Sequence, residues 1–266
     1  MTQAPVYGVI FDLMGTLASY SGTRAELRAA WERGATALYR DLAAQGLPVP
    51  PATFADALQT TTAAELARHG SPREISVAAV LAATLRQFDF PFTAEQFVAA
   101  ERAYFGPELD EWRVLPGAVE AVEALNEEGL RLAVVSNAPS HVFVEEAIAR
   151  VGLRPYLSPV MSSAKAGARK PDPRLFQAII ADWQLRPENV VMVGDGLAAD
   201  IAGAHAAGMR GVLVHGAANA DNAGYTGDAV PDAEITDIAA LPALIARWQA
   251  AVEHDARPET GFIEDF

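Results

Sequence analysis

Chemically reactive side chains stand at the ends of apolar stretches in this chain. Asp12 follows the apolar residues 9–11 and opens a turn that contains a glycine. Ser136 and Asp195 each end a later apolar stretch, and Lys170 stands before a predicted helix. A carboxylate in the position of Asp12 is either a turn former or a nucleophile toward phosphorus or an activated carbon. Three later segments of the chain bear on the choice between these two roles.

The elements that must position these residues alternate between strands and helices. Strands are predicted at 6–13, 131–136, 160–163, 190–194, 211–215 and 233–236, and helices at 118–128, 141–151, 173–183, 198–207 and 238–252. This alternation predicts an α/β fold with a Rossmann-like, mostly parallel sheet covered on both faces. Ligands of such sheets bind outside the carboxyl ends of the strands. Asp12, Ser136 and Asp195 are all expected there.

A block of helical patterns separates the first strand from the rest. Helices are predicted at 23–44, 52–69, 73–88 and 93–105, with glycines and prolines between them. We therefore predict an α-helical bundle at 18–113 that is inserted as a cap. The catalytic core then consists of 1–17 and 114–252, and 253–266 form a tail without clear periodicity. An inserted cap suits a small substrate that must be sealed from water.

Composition restricts the class of function. The 266 residues contain no cysteine, which excludes disulfides and a thiol nucleophile. A formal charge of −14 argues against nucleic acids and anionic lipids as partners, because both require a basic surface. No apolar stretch approaches the roughly 20 residues that span a bilayer, and the N-terminus lacks the features of a secretory signal. We expect a cytoplasmic protein. A small, anionic substrate remains possible where a cation or a helix N-terminus reverses the local field.

The reactive residues lie in four segments with a recognisable order. The segments are Asp12-Leu13-Met14-Gly15-Thr16, Val134-Val135-Ser136-Asn137, Lys170-Pro171-Asp172-Pro173 and Val191-Met192-Val193-Gly194-Asp195, with Asp200 following the last. Together they resemble the four motifs of the haloacid dehalogenase-like hydrolase superfamily, and the resemblance spans nearly the whole chain. It implies that Asp12 is a nucleophile that forms an aspartyl-phosphate, which water then hydrolyses.

The resemblance also implies how a phosphate would be bound. Ser136 would donate its hydroxyl to a non-bridging oxygen, with the amide of Asn137 beside it. Lys170 would neutralise the phosphoryl group as a point charge, and it is one of only two lysines among 20 basic residues. Gly15, which lets the backbone approach the ligand closely, and Thr16 complete the predicted substrate-binding set. Alternatively, Ser136 or Asn137 only caps a turn before the next helix.

Magnesium is the cofactor that the resemblance implies. Mg²⁺ prefers oxygen ligands and few carboxylates. Asp12 and Asp195 would supply one oxygen each, and the main-chain carbonyl of Met14 would supply a third. Asp200 would hold a metal-bound water or orient Lys170, unless it is a solvated acid on a helix face.

Met14 departs from the family pattern. Most phosphatases of the superfamily carry an aspartate at this position, which protonates the leaving oxygen and then deprotonates the attacking water. Such general acid–base catalysis contributes roughly 10²–10⁴ in rate. A thioether can do neither, so the resemblance implies a slow phosphatase acting on a small phosphorylated metabolite.

Two other functions stay open. One is a haloacid dehalogenase-type or other non-phosphate hydrolase that uses Asp12. Arg24, Arg28 and Arg33 lie where a dehalogenase would recruit an arginine, although that branch typically lacks the acid found at Asp195. The other is a catalytically idle metabolite-binding protein. Phosphonatase chemistry is nearly excluded, because it needs a lysine in the inserted domain and 18–113 contain none.

Overall fold

A computed structural model describes residues 4–69, 74–215 and 220–255 of the chain. Its strands are β1 (Gly8–Phe11), β2 (Ala18–Tyr20), β3 (Trp112–Val114), β4 (Arg131–Ser136), β5 (Val160–Ser162), β6 (Val190–Gly194), β7 (Arg210–Val214) and β8 (Ala233–Ile235). Six of them form a parallel sheet in the order β5-β4-β1-β6-β7-β8. The predicted α/β class with a mostly parallel sheet is therefore confirmed.

Helices cover this sheet and fill the insertion. They are α1 (Arg24–Ala44), α2 (Pro51–His69), α3 (Val77–Arg86), α4 (Ala94–Leu109), α5 (Ala118–Glu127), α6 (His141–Arg150), α7 (Ser163–Ala166), α8 (Arg174–Trp183), α9 (Ala202–Ala206) and α10 (Leu241–Asp255). The helix predicted at 198–207 begins instead as a π-helical turn, Leu197–Ile201, which continues into α9. None of the helices in the described part of the chain has the length and apolar character that crossing a membrane requires.

The central strand β1 shows why the apolar stretches are continuous. Val9, Ile10 and Phe11 are all fully buried. Because successive side chains of a strand point to opposite faces, Val9 and Phe11 join one apolar cluster and Ile10 joins another. A strand that is buried on both faces therefore reads as an unbroken apolar run.

The strand order also fixes the place of the site. β1 lies between β4 and β6, and Phe11 is in register with Val134 on one side and Val193 on the other. The chain builds the sheet on the β4 side first and then crosses to the β6 side. The carboxyl ends of β1, β4 and β6 meet where this direction changes, so the residues that follow these strands face one crevice.

The inserted segment begins and ends in a small sheet that the sequence analysis did not predict. β2 and β3 pair antiparallel, with Ala18 opposite Val114 and Tyr20 opposite Trp112. Strands of three residues are too short to show a period-two pattern. Their pairing brings the two ends of the helical segment together beside the main sheet.

Helices α1 to α4 of the inserted segment enclose an apolar cluster of their own, which includes Leu38, Leu42, Phe54, Leu81 and Leu85. Capping boxes start α1 and α4 in agreement with the predicted boundaries, since Thr23 pairs with Glu26 and Thr93 with Gln96. The division into core, cap and tail stays a prediction. Within the predicted tail, α10 continues to Asp255, and 256–266 lie outside the described residues.

Candidate active site

Asp12 and Lys170 form a buried ion pair at the end of β1. The N–H of Asp12 donates to the carbonyl of Val193 at 2.8 Å, which extends the sheet pairing by one residue and fixes the carboxylate at the strand end. The ammonium of Lys170 lies 2.5 Å from Asp12 Oδ1 and 2.7 Å from Asp200 Oδ1. The Lys170 and Asp200 side chains are each only 2% exposed. Asp200 is therefore a buried partner of Lys170 and not a solvated acid on a helix face. The two other roles predicted for it, orienting Lys170 and holding a metal-bound water, stay predictions.

Burial dominates the electrostatics of this group. Desolvation raises the pKa of the Asp12 carboxyl to about 7, because the lowering by Lys170 is opposed by Asp200 and Asp195. Burial alone would lower the pKa of Lys170, but the carboxylates of Asp12 and Asp200 raise it above its usual value. Lys170 is thus charged at neutral pH. A further cation in the cluster would favour the ionised form of Asp12.

Three carboxylates of the site lie close enough to hold a metal ion. One oxygen each of Asp12, Asp195 and Asp200 lies within 4.8 Å of the others. Glycines make room for them: a Cβ on Gly15, whose φ is +85°, would lie 2.3 Å from Asp195 Oδ2, and a Cβ on Gly194 would lie 2.3 Å from Asp200 Oδ2. This all-oxygen donor set fits a hard cation such as Mg²⁺.

The loop that carries Asp195 is held by a residue that the sequence analysis missed. Asn222 donates from Nδ2 to the carbonyl of Asp195 at 2.7 Å and accepts from the N–H of Leu197 at 2.8 Å. The N–H of Gly196 also donates to Asp200 Oδ2 at 2.9 Å. Asn222 is 27 residues from Asp195, and no local pattern marks it.

The two residues predicted to bind phosphate at the end of β4 have different surroundings, and their contact with phosphate stays a prediction. Ser136 is buried and ends β4, the strand that pairs with β1. The side chain of Asn137 instead holds the main chain of Lys170: it accepts from the Lys170 N–H at 2.8 Å and donates to its carbonyl at 3.1 Å. Asn137 is thus a positioning residue for Lys170, and substrate contact by its main-chain amide stays a prediction. The hydroxyl of Thr16 is buried without a hydrogen-bond partner among the described residues.

A cavity of about 360 Å³ opens beside these residues. Met14, Ser136 and Asn137 line the side of the cavity near the strand ends, and Met14 is 60% exposed. The opposite walls come mainly from the inserted segment and are largely aromatic; they include Trp31, Tyr104, Phe105 and Trp112. The cavity therefore lies between Met14 and the helical insertion.

Among the described lining residues, Glu108 is the one acidic side chain in this cavity. Its carboxylate accepts from Trp31 Nε1 at 2.8 Å and from Trp112 Nε1 at 3.4 Å. Arg24, Arg28 and Arg33, which were considered as carboxylate-binding residues, are not part of the described lining. Neither Glu108 nor the two indoles were predicted as site residues from the sequence.

Comparison with known sequences now identifies the family. The sequence model of the haloacid dehalogenase-like hydrolases matches residues 7–208. The chain belongs to this family of hydrolases. The match covers β1 through α9 and includes each of the four segments on which the resemblance rested.

Several relatives within or near this hydrolase family match parts of the chain. A ribulose-1,5-bisphosphate 5-phosphatase from Halopiger xanaduensis is 37% identical over 42% of this chain and 46% of its own length. The chain spans about half the length of this relative and of others that it matches. A phosphoserine phosphatase from Thermus thermophilus is 29% identical over 80% of the chain and 84% of its own length.

A solved crystal structure shares the fold of this chain. The crystal structure of a 2-haloacid dehalogenase from Pseudomonas syringae aligns with a TM-score of 0.62 and 26% identity. The alignment covers 91% of this chain and 99% of that one.

Proposed function

We propose that this hydrolase is a magnesium-dependent phosphatase that acts on a small phosphate monoester through a covalent intermediate on Asp12. The observation that carries the proposal is the convergence of Asp12, Lys170 and the carboxylates of Asp195 and Asp200 at one strand edge. A nucleophile that is paired with an ammonium and lies within a metal-compatible oxygen cluster suits an attack on a dianionic group.

In the first step, an oxygen of Asp12 attacks phosphorus, a bond forms between them, and the bond from phosphorus to the leaving oxygen breaks. Lys170 and Ser136 stabilise the negative charge on the non-bridging oxygens during this attack. In the second step, water attacks phosphorus and Asp12 leaves as a carboxylate. Asp200 and Asn137 keep Lys170 in place throughout.

Magnesium held by Asp12, Asp195 and the Met14 carbonyl would supply additional positive charge to the phosphoryl group. Asp12 in its buried state has a raised pKa, so a bound cation also supports the ionised nucleophile. Met14 offers no proton to the leaving oxygen and takes none from water. The reaction is therefore slow unless the leaving group is good.

The names of relatives support phosphate ester hydrolysis but differ in the substrate that they specify. The dehalogenase among the solved structures supports the alternative of carbon–halogen hydrolysis. Two features of the cavity count against a haloacid substrate. Its described lining contains Glu108, and Arg24, Arg28 and Arg33 are not part of it.

Removal of the metal tests the proposal. We expect a chelator to abolish turnover of para-nitrophenyl phosphate and added Mg²⁺ to restore it. Asp195→Ala should raise the Mg²⁺ concentration needed for half-maximal activity by at least about tenfold, since even residues that only support metal ligands contribute on this scale. Asp182→Ala, which changes an exposed aspartate, is the control and should leave the Mg²⁺ requirement unchanged. Full activity in chelator would favour the dehalogenase-type alternative.

The substitution Met14→Asp tests the explanation for slow turnover. At saturating Mg²⁺, the new carboxylate should raise the turnover of aryl phosphates, by up to roughly 10²-fold for poor leaving groups and less for good ones, because poor leaving groups need the proton most. Saturating metal is needed because the added charge repels Asp12 and Asp195. Met14→Leu keeps an apolar side chain and should show no gain. A uniform loss across leaving groups in a folded, metal-bound Met14→Asp protein would mean that Met14 serves another chemistry.

A further inference from the structure

The side chains that line the cavity beside Met14 are mostly apolar or aromatic. Outside the catalytic residues, its lining consists of apolar and aromatic side chains, among them Trp31, Tyr104, Phe105 and Phe143, together with Glu108. No lysine, arginine or histidine lines it within the described structure. A substrate whose phosphate lies at Asp12 would extend its organic part into these walls, since Met14, Ser136 and Asn137 belong to both the site and the cavity.

Glu108 is held in place from two sides. It lies in the last turn of α4, one turn after Tyr104, so both side chains share a helix face. Each of its carboxylate oxygens accepts from an indole, one on α1 and one on β3, at 2.8 and 3.4 Å. Burial raises the pKa of the Glu108 carboxyl, while the hydrogen bonds from the two indoles favour its ionised form. Both indole donors are engaged by this carboxyl group and are not available to a substrate anion.

The lining of this cavity disfavours the binding of organic groups that carry a negative charge or several hydroxyls. A substrate carboxylate or second phosphate in the cavity would lie near a like charge, with no basic side chain among the described lining residues to offset it. Hydroxyl groups of a polyol would lose water and meet mainly aromatic carbon. An aryl or alkyl group, in contrast, replaces water against apolar surface.

We propose that the organic part of the substrate is apolar or aromatic and carries no second acidic group, and that Glu108 is the specificity-determining residue that excludes such groups. The proposal rests on the phosphatase function proposed above and specifies the substrate class of that same site.

A pair of nearly isosteric esters tests the exclusion of acidic groups. Para-carbamoylphenyl phosphate and para-carboxyphenyl phosphate have similar shape and differ in charge. With Mg²⁺ present, we expect wild-type kcat/KM to favour the carbamoyl ester by at least about tenfold, because like charges placed together in a cleft strongly disfavour binding. Propyl phosphate should likewise inhibit turnover of para-nitrophenyl phosphate at a lower concentration than glycerol phosphate does, which tests the apolar requirement without turnover of an alkyl ester.

The role of Glu108 is tested by the same ratio in a variant. Glu108→Gln should reduce the preference for the carbamoyl ester to about threefold or less, because the like charge is removed. Glu95→Gln makes the same chemical change at an exposed position of the same helix and should leave the ratio as in the wild type. An unchanged ratio in a folded Glu108→Gln protein would overturn the assignment of Glu108.

Calorimetry with Mg²⁺ tests the selectivity of the cavity and requires neither turnover nor a variant. It compares the binding of para-phosphonobenzamide and of para-phosphonobenzoate to the wild-type protein. Turnover without the expected preferences would overturn this inference and leave the phosphatase proposal standing. Absence of turnover, with the benzamide still bound at least about tenfold more tightly, would refute the phosphatase proposal and support the cavity's selectivity. Absence of both turnover and selective binding would overturn both.

Discussion

Replacement of Asp12 with asparagine is expected to reduce turnover of para-nitrophenyl phosphate by at least about 10³-fold, since removal of the covalent nucleophile of a serine protease costs roughly 10⁶-fold. The amide is nearly isosteric with the carboxylate but is not a competent nucleophile toward phosphorus. Lys170 keeps its 2.7 Å contact with Asp200, so the fold should survive.

Kinetics of the Asp12→Asn protein should be measured together with its thermal unfolding. Asp182→Asn, at an exposed position, provides a matched control that should retain wild-type activity. A folded Asp12→Asn protein that keeps more than a small fraction of wild-type turnover would contradict the role of Asp12.

The second large effect concerns Lys170. We expect Lys170→Met to lower turnover by about 10²–10³-fold, as removal of one charge-stabilising donor does in other enzymes. Without metal, it should also lower the free energy of unfolding by about 3–5 kcal/mol, because the carboxylates of Asp12 and Asp200 lose their shared buried partner. Methionine preserves most of the unbranched side chain, so the loss is mainly electrostatic.

Chemical denaturation with and without Mg²⁺ measures the effect of Lys170→Met. Added Mg²⁺ should stabilise this variant more than the wild type, since it binds the folded carboxylate cluster and replaces part of the missing positive charge. Lys165→Met removes the chain's other lysine, which is exposed, and should change stability by less than about 0.5 kcal/mol. Equal losses in the two variants would show that the Lys170 ion pairs do not hold the site together.

The sequence predicted the central sheet well because its strands are buried on both faces. The bounds of β4 and β6 agree with the prediction, since each is a continuous apolar run that ends in a polar residue or glycine. β2 and β3 were not predicted, because a strand of three residues is too short to show an alternation of apolar and polar side chains. The π-helical turn at Leu197–Ile201 was missed because its hydrogen bonds depend on how Asp200 is placed over Gly194 and Gly196.

The sequence indicated the residues of the candidate site that lie in motifs. It did not indicate the residues that meet only through tertiary contacts. Asp12, Lys170 and Asp200 converge as the family resemblance implied. Glu108 and Trp31 are 77 residues apart in sequence and meet only because α1 packs beside α4. Their hydrogen bond leaves no periodic signal in either helix, so a single sequence does not reveal it.

Trapping of the covalent intermediate tests the central claim most directly. Met14 cannot activate water, so with para-nitrophenyl phosphate, whose leaving group needs little protonation, hydrolysis of the intermediate should be slower than its formation. We predict that rapid acid quenching at saturating substrate and Mg²⁺, followed by peptide mass spectrometry, finds a phosphoryl group on Asp12. Turnover at saturating substrate with Asp12 unmodified, or with phosphate on another residue, would contradict the account.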